Sequence, residues 1–387
     1  MKKVGILSMQ RIVNYGSFMQ AFALKNMIEN EGCSVQFVDY KVEPCLVEPS
    51  PARKEKSLTK GQLIAAKVRW HIMHAVRTLR GNEVVYSDEC IRDMNNKYDE
   101  FKAAYNEKYL RILGISNERN ERPSLDTLVI GSDEVFNCLQ TNPDVGYSKE
   151  LFGYSNNAQR LISYAASFGN TTSEGLEKYS IDTQIKQMLG NFDSISVRDT
   201  NSGKIVKQLT GCEPEYNLDP VLMYDFTSHI PKIDTPDNYI VVYAYKSRIS
   251  LQEAREIRMT ARKMNKKLIC IGGPQYFCDD YIACDPFTVL AYFKGADYII
   301  TDTFHGSIFS VICNKKFAVL IRKSIDGKYG NEEKIGDLLR RLKLEKQTVP
   351  SLDSLRSVLE QDIDYETTNR IISEERVKAR EYLKNNL

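Results

Sequence analysis

The chain has 387 residues, of which 42% are hydrophobic, 53 are basic and 51 are acidic. That length exceeds one compact core of ordinary size, so two domains are expected. The net charge of +2 excludes nucleic-acid binding by bulk attraction to phosphates, so any anionic ligand must be met by local groups.

The elements begin with a short apolar run at 3–7, a loop holding Asn14-Tyr15-Gly16-Ser17, a helical spacing over 18–24 and a second strand at 35–39. This is a βαβ unit. Further strands are predicted at 125–130, 161–165 and 194–197, with helices between the last two and after Asp199. Alternation of this kind predicts a parallel sheet covered by helices on both faces. A polar stretch with Pro231 and Pro236 follows Asn217-Leu218-Asp219-Pro220, and the domain boundary is placed there. The expected units are an N-terminal domain, 1–225, and a C-terminal domain, 226–387. The second series has strands at 239–244, 267–271, 297–301 and 317–321 and helices at 251–264 and 286–294. Asp285-Pro286 is a good helix start, a capping carboxylate followed by proline. The charged stretch 352–387 reads as helices packing back over the domains.

A basic helical insert is expected at about 51–120. Within it, 53–80 carries eight Lys or Arg against the single acid Glu55. Its interleaved apolar residues suit either an ordinary amphipathic helix or contact with an anionic membrane face. The nine cysteines are scattered, with no Cys-x-x-Cys pair, which fits reduced thiols better than disulfides or a zinc site. No 18-residue apolar span occurs and the N-terminal apolar run is too short for a signal peptide, so a cytoplasmic protein is expected.

In open α/β sheets ligands sit beyond the carboxyl ends of the strands. The polar clusters that fall there are Asn14-Tyr15-Gly16-Ser17, Gly131-Ser132-Asp133, Arg198-Asp199, Lys246-Ser247-Arg248, Gly272-Gly273 and Asp302-Thr303-Phe304-His305-Gly306. Two domains facing a cleft would bring them together. His305 is one of only four histidines and sits where a strand gives way to a helix begun by Gly306 and Ser307. The helix start attracts an anion and disfavours a protonated imidazole, so a bound anion, or Asp302, would be needed to make His305 a strong acid. The alternative is a capping histidine without chemistry. Arg198 suits a two-pronged grip on a phosphate or carboxylate, or a pairing with Asp199 or another carboxylate of the domain. Asp133 suits an acceptor hydroxyl, or only an Asx turn. Asn14, Gly16 and Ser17 suit an anion cradle at the first helix.

Several blocks resemble the polysaccharide pyruvyl transferase family. They are the run from Asn14 to Leu24, the run from Val129 to Asn137, Ser163-Tyr164-Ala165-Ala166-Ser167-Phe168-Gly169, Ser196-Val197-Arg198-Asp199, Leu218-Asp219-Pro220, and the run from Ala296 to Ser307. The resemblance implies two Rossmann-like domains in a GT-B-like arrangement, and transfer of pyruvate from phosphoenolpyruvate to sugar hydroxyls as a cyclic ketal. It implies neither a metal nor a nicotinamide cofactor. The acceptor would be a saccharide, lipid-linked or free. His305 lines up with the family's catalytic histidine and Arg198 with its donor-binding arginine. Some members have an arginine where this chain has Thr303. Lys334 stands where relatives often have arginine, and Lys246 or Arg248 are further candidates for that charge. Phe304, Gly306 and Ser307 complete the expected site. Two other readings predict different ligands. A GT-B-like glycosyltransferase would bind a nucleotide sugar near Gly272-Gly273 and Thr303, whereas a non-catalytic scaffold would bind neither donor.

Overall fold

The computed structural model describes residues 1–47, 88–246, 248–323 and 330–387. The basic segment 53–80 and Ser247 lie outside the described residues. The N-terminal sheet has four parallel strands in the order β2-β1-β3-β4: Lys3–Leu7 (β1), Ser34–Phe37 (β2), Ser124–Ile130 (β3) and Asn157–Ser163 (β4). Bridges from Ile162 to Ser194 and from Ala166 to Val197 extend it to a small parallel pair, Ser196–Val197 (β5) and Glu215–Tyr216 (β6). The C-terminal sheet is parallel in the order β11-β10-β7-β8-β9. Its strands are Tyr239–Ala244 (β7), Lys267–Gly272 (β8), Asp280–Tyr281 (β9), Tyr298–Thr301 (β10) and Lys316–Val319 (β11). Every residue of β7 is buried, as a strand covered by helices on both faces requires. The protein is α/β, with two parallel, Rossmann-like sheets whose loops line a common cleft.

One predicted strand shifts and two short strands were not predicted, each for a local reason. β4 ends at Ser163 rather than 165 because Ala165 has φ +49°, outside the extended region. β6 and β9 are two residues each, too short for the periodicity that reveals longer strands.

The helix Tyr15–Asn30 is buried on nearly all sides from Tyr15 to Leu24, the mark of a helix enclosed by protein. One side faces the N-terminal sheet. The other meets the second domain: the Phe18 and Phe22 rings lie 5.8 and 4.9 Å from that of Phe287, and Tyr15 lies 6.4 Å from Tyr243. A single apolar cluster therefore runs from Val4 and Ile6 through this helix to Val241 and Phe309. The last helix, Tyr365–Asn386, reaches the N-terminal sheet. Tyr382 donates to the Ser163 carbonyl at 2.7 Å, and Lys2 and Thr127 donate to the Leu387 carbonyl. No helix among the described residues is long and apolar enough to cross a membrane.

Candidate active site

In each sheet the strand order reverses at one place, between β1 and β3 in the first and between β7 and β10 in the second. The loops that leave these four strands line a cleft of about 1250 Å³. They carry Asn14 and Ser17, Asp133 and Glu134, Arg248, and Asp302 to His305. This is the switch-point crevice expected of open α/β sheets, formed twice and shared.

Thr303 is the N-cap of the helix Phe304–Ile312 and accepts the Gly306 N–H at 2.9 Å. That cap fixes the first turn and sends the His305 side chain to the cleft floor, where it is 7% exposed. Its partner there is Asp219, 3.6 Å from Nε2 and completely buried. Asp302, the carboxylate expected to offset the charge on His305, instead faces Arg248 and Arg322 at 3.1 and 3.3 Å.

Asp219 is the centre of the cluster. It caps the short helix Pro220–Met223 through the Val221 N–H and accepts from Arg198 Nη1 at 3.0 Å and Ser132 Oγ at 3.1 Å. Burial works against its charge, but His305, Arg198 and the Val221 N–H outweigh that and hold its carboxyl at about 2. In the sequence Asp219 stands in the Leu218-Asp219-Pro220 block of the family resemblance, but nothing there gives it a role in the site.

Arg198 leaves β5 into this cluster, 2% exposed, with its guanidinium 4.2 Å above the Phe304 ring and Nη2 3.6 Å from Asp133. Of its expected partners, Asp199 is occupied as the cap of Thr200–Thr210 and by Ser167 and Ser202, and the pairing goes to other carboxylates of the domain, Asp219 and Asp133. Asp133 has φ +83°, a left-handed backbone that only a short polar residue tolerates readily. A polarised chain holds its carboxylate: Asn14 Nδ2 donates to Ser17 Oγ at 2.9 Å, and Ser17 Oγ donates to Asp133 at 3.0 Å.

The remaining expected residues separate into two groups. Lys334 lines the cleft and is paired across it with Glu134. Lys246 is exposed and donates to Asn95 at 2.7 Å, outside the cleft lining, whereas Arg248 two positions on lies within it. Gly306 and Ser307 are buried behind the first turn, Ser307 donating to the Thr303 carbonyl. Gly16 has a different function from the anion cradle suggested by its neighbours. A Cβ there would lie 2.2 Å from His305 Nδ1, so the glycine makes room for the imidazole. Gly16→Ala is therefore expected to cost about 1–3 kcal/mol by overpacking and to displace the His305 ring. A denaturation midpoint together with loss of turnover would show it, and unchanged turnover would refute the contact.

Two atoms in this cluster, His305 Nε2 and Arg198 Nε, are buried without a hydrogen-bond partner among the described residues. Buried polar atoms are rarely left so. Both open on a cleft flanked by the N-termini of Tyr15–Asn30 and Phe304–Ile312, whose dipoles favour an anion.

The fold is remotely similar to several solved structures. A Streptomyces sp. SF2575 glycosyltransferase, SsfS6, complexed with thymidine diphosphate, is 9% identical, with 99% of this chain and 98% of that one covered and a TM-score of 0.44. The UDP-GlcNAc 2-epimerase of Neisseria meningitidis, bound to UDP-GlcNAc, is 7% identical, with 98% and 100% covered and a TM-score of 0.42. At these scores the likeness says nothing of what the chain binds. No curated protein is significantly similar in sequence. The model of the family described as polysaccharide pyruvyl transferase matches residues 14–324, and the chain, a transferase, belongs to that family.

Proposed function

We propose that the enzyme transfers a pyruvyl unit from phosphoenolpyruvate to two hydroxyls of a saccharide, giving a cyclic ketal and inorganic phosphate. The observation that carries this reading is the pair of buried atoms that make no hydrogen bond among the described residues, one on an imidazole and one on a guanidinium, at a place that favours anions. Arg198 Nε holds a carboxylate or phosphate oxygen of the donor. Arg248 and Lys334 are further cations in the cleft lining, although each has a carboxylate partner to exchange, Asp302 and Glu134.

His305 gives its proton to the methylene carbon, whose π electrons form the new C–H bond. The adjacent carbon becomes an oxocarbenium-like centre, stabilised by the lone pair of the phosphate-bearing oxygen. An acceptor hydroxyl attacks it and passes its proton to Asp133. Phosphate then leaves with the C–O bonding pair and takes up the proton held by Asp133, and the second hydroxyl closes the ketal, its proton returning to the neutral His305. Asp219 is a positioning residue: it faces His305 Nε2 at 3.6 Å and fixes the orientation of the ring. On this reading the work is cytoplasmic, and where the acceptor is lipid-linked the segment 53–80 suits contact with the inner membrane face.

Thermal-shift titration tests the donor. At 100 times its dissociation constant a ligand adds about 2.7 kcal/mol of stability, a rise of several degrees. Phosphoenolpyruvate is expected to produce that rise and a panel of nucleotide sugars is not. The reverse result would replace the reading with glycosyl transfer.

A further inference from the structure

The helix Glu332–Arg341 belongs to the second domain, yet its polar residues meet the first. Lys334, in its first turn, is paired with Glu134 of the loop after β3. Asp337 accepts from Thr200 Oγ1, at the start of Thr200–Thr210. Arg341, its last residue, donates to the Arg198 carbonyl at 3.0 Å and reaches Glu375 of the last helix at 2.9 Å. The helix is thus fixed beside the residue that leaves β5 into the site, and Lys334 lines the cleft from it.

The cleft cations differ in what an arriving anion must break. Arg198 is buried between Asp219 and Asp133, and Arg11 is held by both oxygens of Asp39, at 2.5 and 2.8 Å. Arg119 donates to the Tyr40 carbonyl at 2.8 Å, in the loop whose Ser116 and Asn120 also hold Arg11 and Asp39, and Lys102 is paired with Asp99. Arg248 shares Asp302 with Arg322. Lys334 is held less firmly. Glu134 Oε2 accepts from Asn137 Nδ2 at 2.8 Å, so the carboxylate keeps a donor when the lysine leaves. The two side chains are 14% and 17% exposed, enough for water to take part in an exchange. Glu134 also acts on the anion-binding arginine. Burial works against the Arg198 charge, but Asp133, Asp219 and then Glu134 outweigh it and raise its proton affinity. An anion held by Arg198 is therefore repelled by Glu134 and attracted by Lys334.

We propose that Glu134 is a placeholder for the donor's phosphate at Lys334: the lysine leaves it when the phosphate binds and returns to it when inorganic phosphate departs. The carboxylate keeps the affinity for donor and product low, and it is a positioning residue that acts through Lys334. The identity of the anion rests on the pyruvyl-transfer reading. Calorimetric titrations of the full-length protein with phosphoenolpyruvate and, separately, with inorganic phosphate test the exchange. Glutamine keeps the shape of Glu134 and can still accept from Asn137. Glu134→Gln is expected to bind both anions about tenfold more tightly, as removal of a competing charge-assisted hydrogen bond implies. Lys334→Met is expected to bind both about tenfold more weakly. With Lys334→Met in place, the gain from Glu134→Gln should fall to about threefold or less, because only repulsion of the anion is then relieved. A carboxylate with a merely structural role would not tighten binding on losing its charge. Unchanged or weaker binding by Glu134→Gln, or the same gain with and without Lys334, would overturn the exchange and leave the donor reading intact. If inorganic phosphate shows the expected pattern while phosphoenolpyruvate binds to no variant, the donor reading falls and the exchange stands. Binding of neither anion to any variant would overturn both.

Discussion

His305→Ala is expected to lower ketal formation by about 10²- to 10⁴-fold, the usual contribution of a positioned general acid, while the protein stays folded. Alanine is the better helix former, and the position lies in the first turn of Phe304–Ile312 with its Nε2 3.6 Å from Asp219 and in no hydrogen bond among the described residues. Removing the ring therefore breaks no hydrogen bond made by that atom. Phosphoenolpyruvate should still raise the melting temperature, because Arg198 and the two helix N-termini remain. Phosphate release with acceptor present is the readout. A folded His305→Ala protein that turns over at the wild-type rate would remove the imidazole from the mechanism.

Asp219→Asn should do more to the fold than any other single change in the cleft. The amide keeps the shape and can still accept from the Val221 N–H, but it leaves the buried Arg198 guanidinium with Asp133 alone, at 3.6 Å. Removing one partner of a buried ion pair costs about 3–5 kcal/mol, readable as a lowered denaturation midpoint. A variant as stable as wild type would mean that Asp219 is not the centre of the cluster. The pH dependence follows from the same carboxylate. Its folded value of about 2 lies below the ordinary 3.8, a gap equivalent to about 2 kcal/mol. A lowered carboxyl stabilises the fold above its unfolded value, so this contribution is complete above pH 4 and disappears as pH falls toward 2. Asp219→Asn should flatten that part of the acid-denaturation curve.

The main strands and the positions of His305, Arg198, Asn14 and Thr303 were legible because each follows a buried run and begins a helix, a local pattern. Asp219 was not, since its role comes from Arg198, Ser132 and His305 arriving from other parts of the chain. Lys246 and Arg248 are equivalent on paper. Asn95, on the helix Asp88–Ala104, draws Lys246 aside, and only the packed structure decides which cation faces the cleft. The pairing of Lys334 with Glu134 was hidden for a related reason. The two are 200 positions apart, and each looks like solvated surface until the second domain is set beside the first.

The aromatic contacts of Tyr15, Phe18 and Phe22 with the second domain bear on how the enzyme cycles. Domains joined through small polar interfaces swing apart readily. Here opening the cleft would bring Phe287 and its neighbours into water, at roughly 25 cal/mol for each Å² exposed. The closed form is thus the resting form, and the imidazole and guanidinium are in register before any substrate arrives. Substrates and phosphate then come and go through the mouth of a standing cleft.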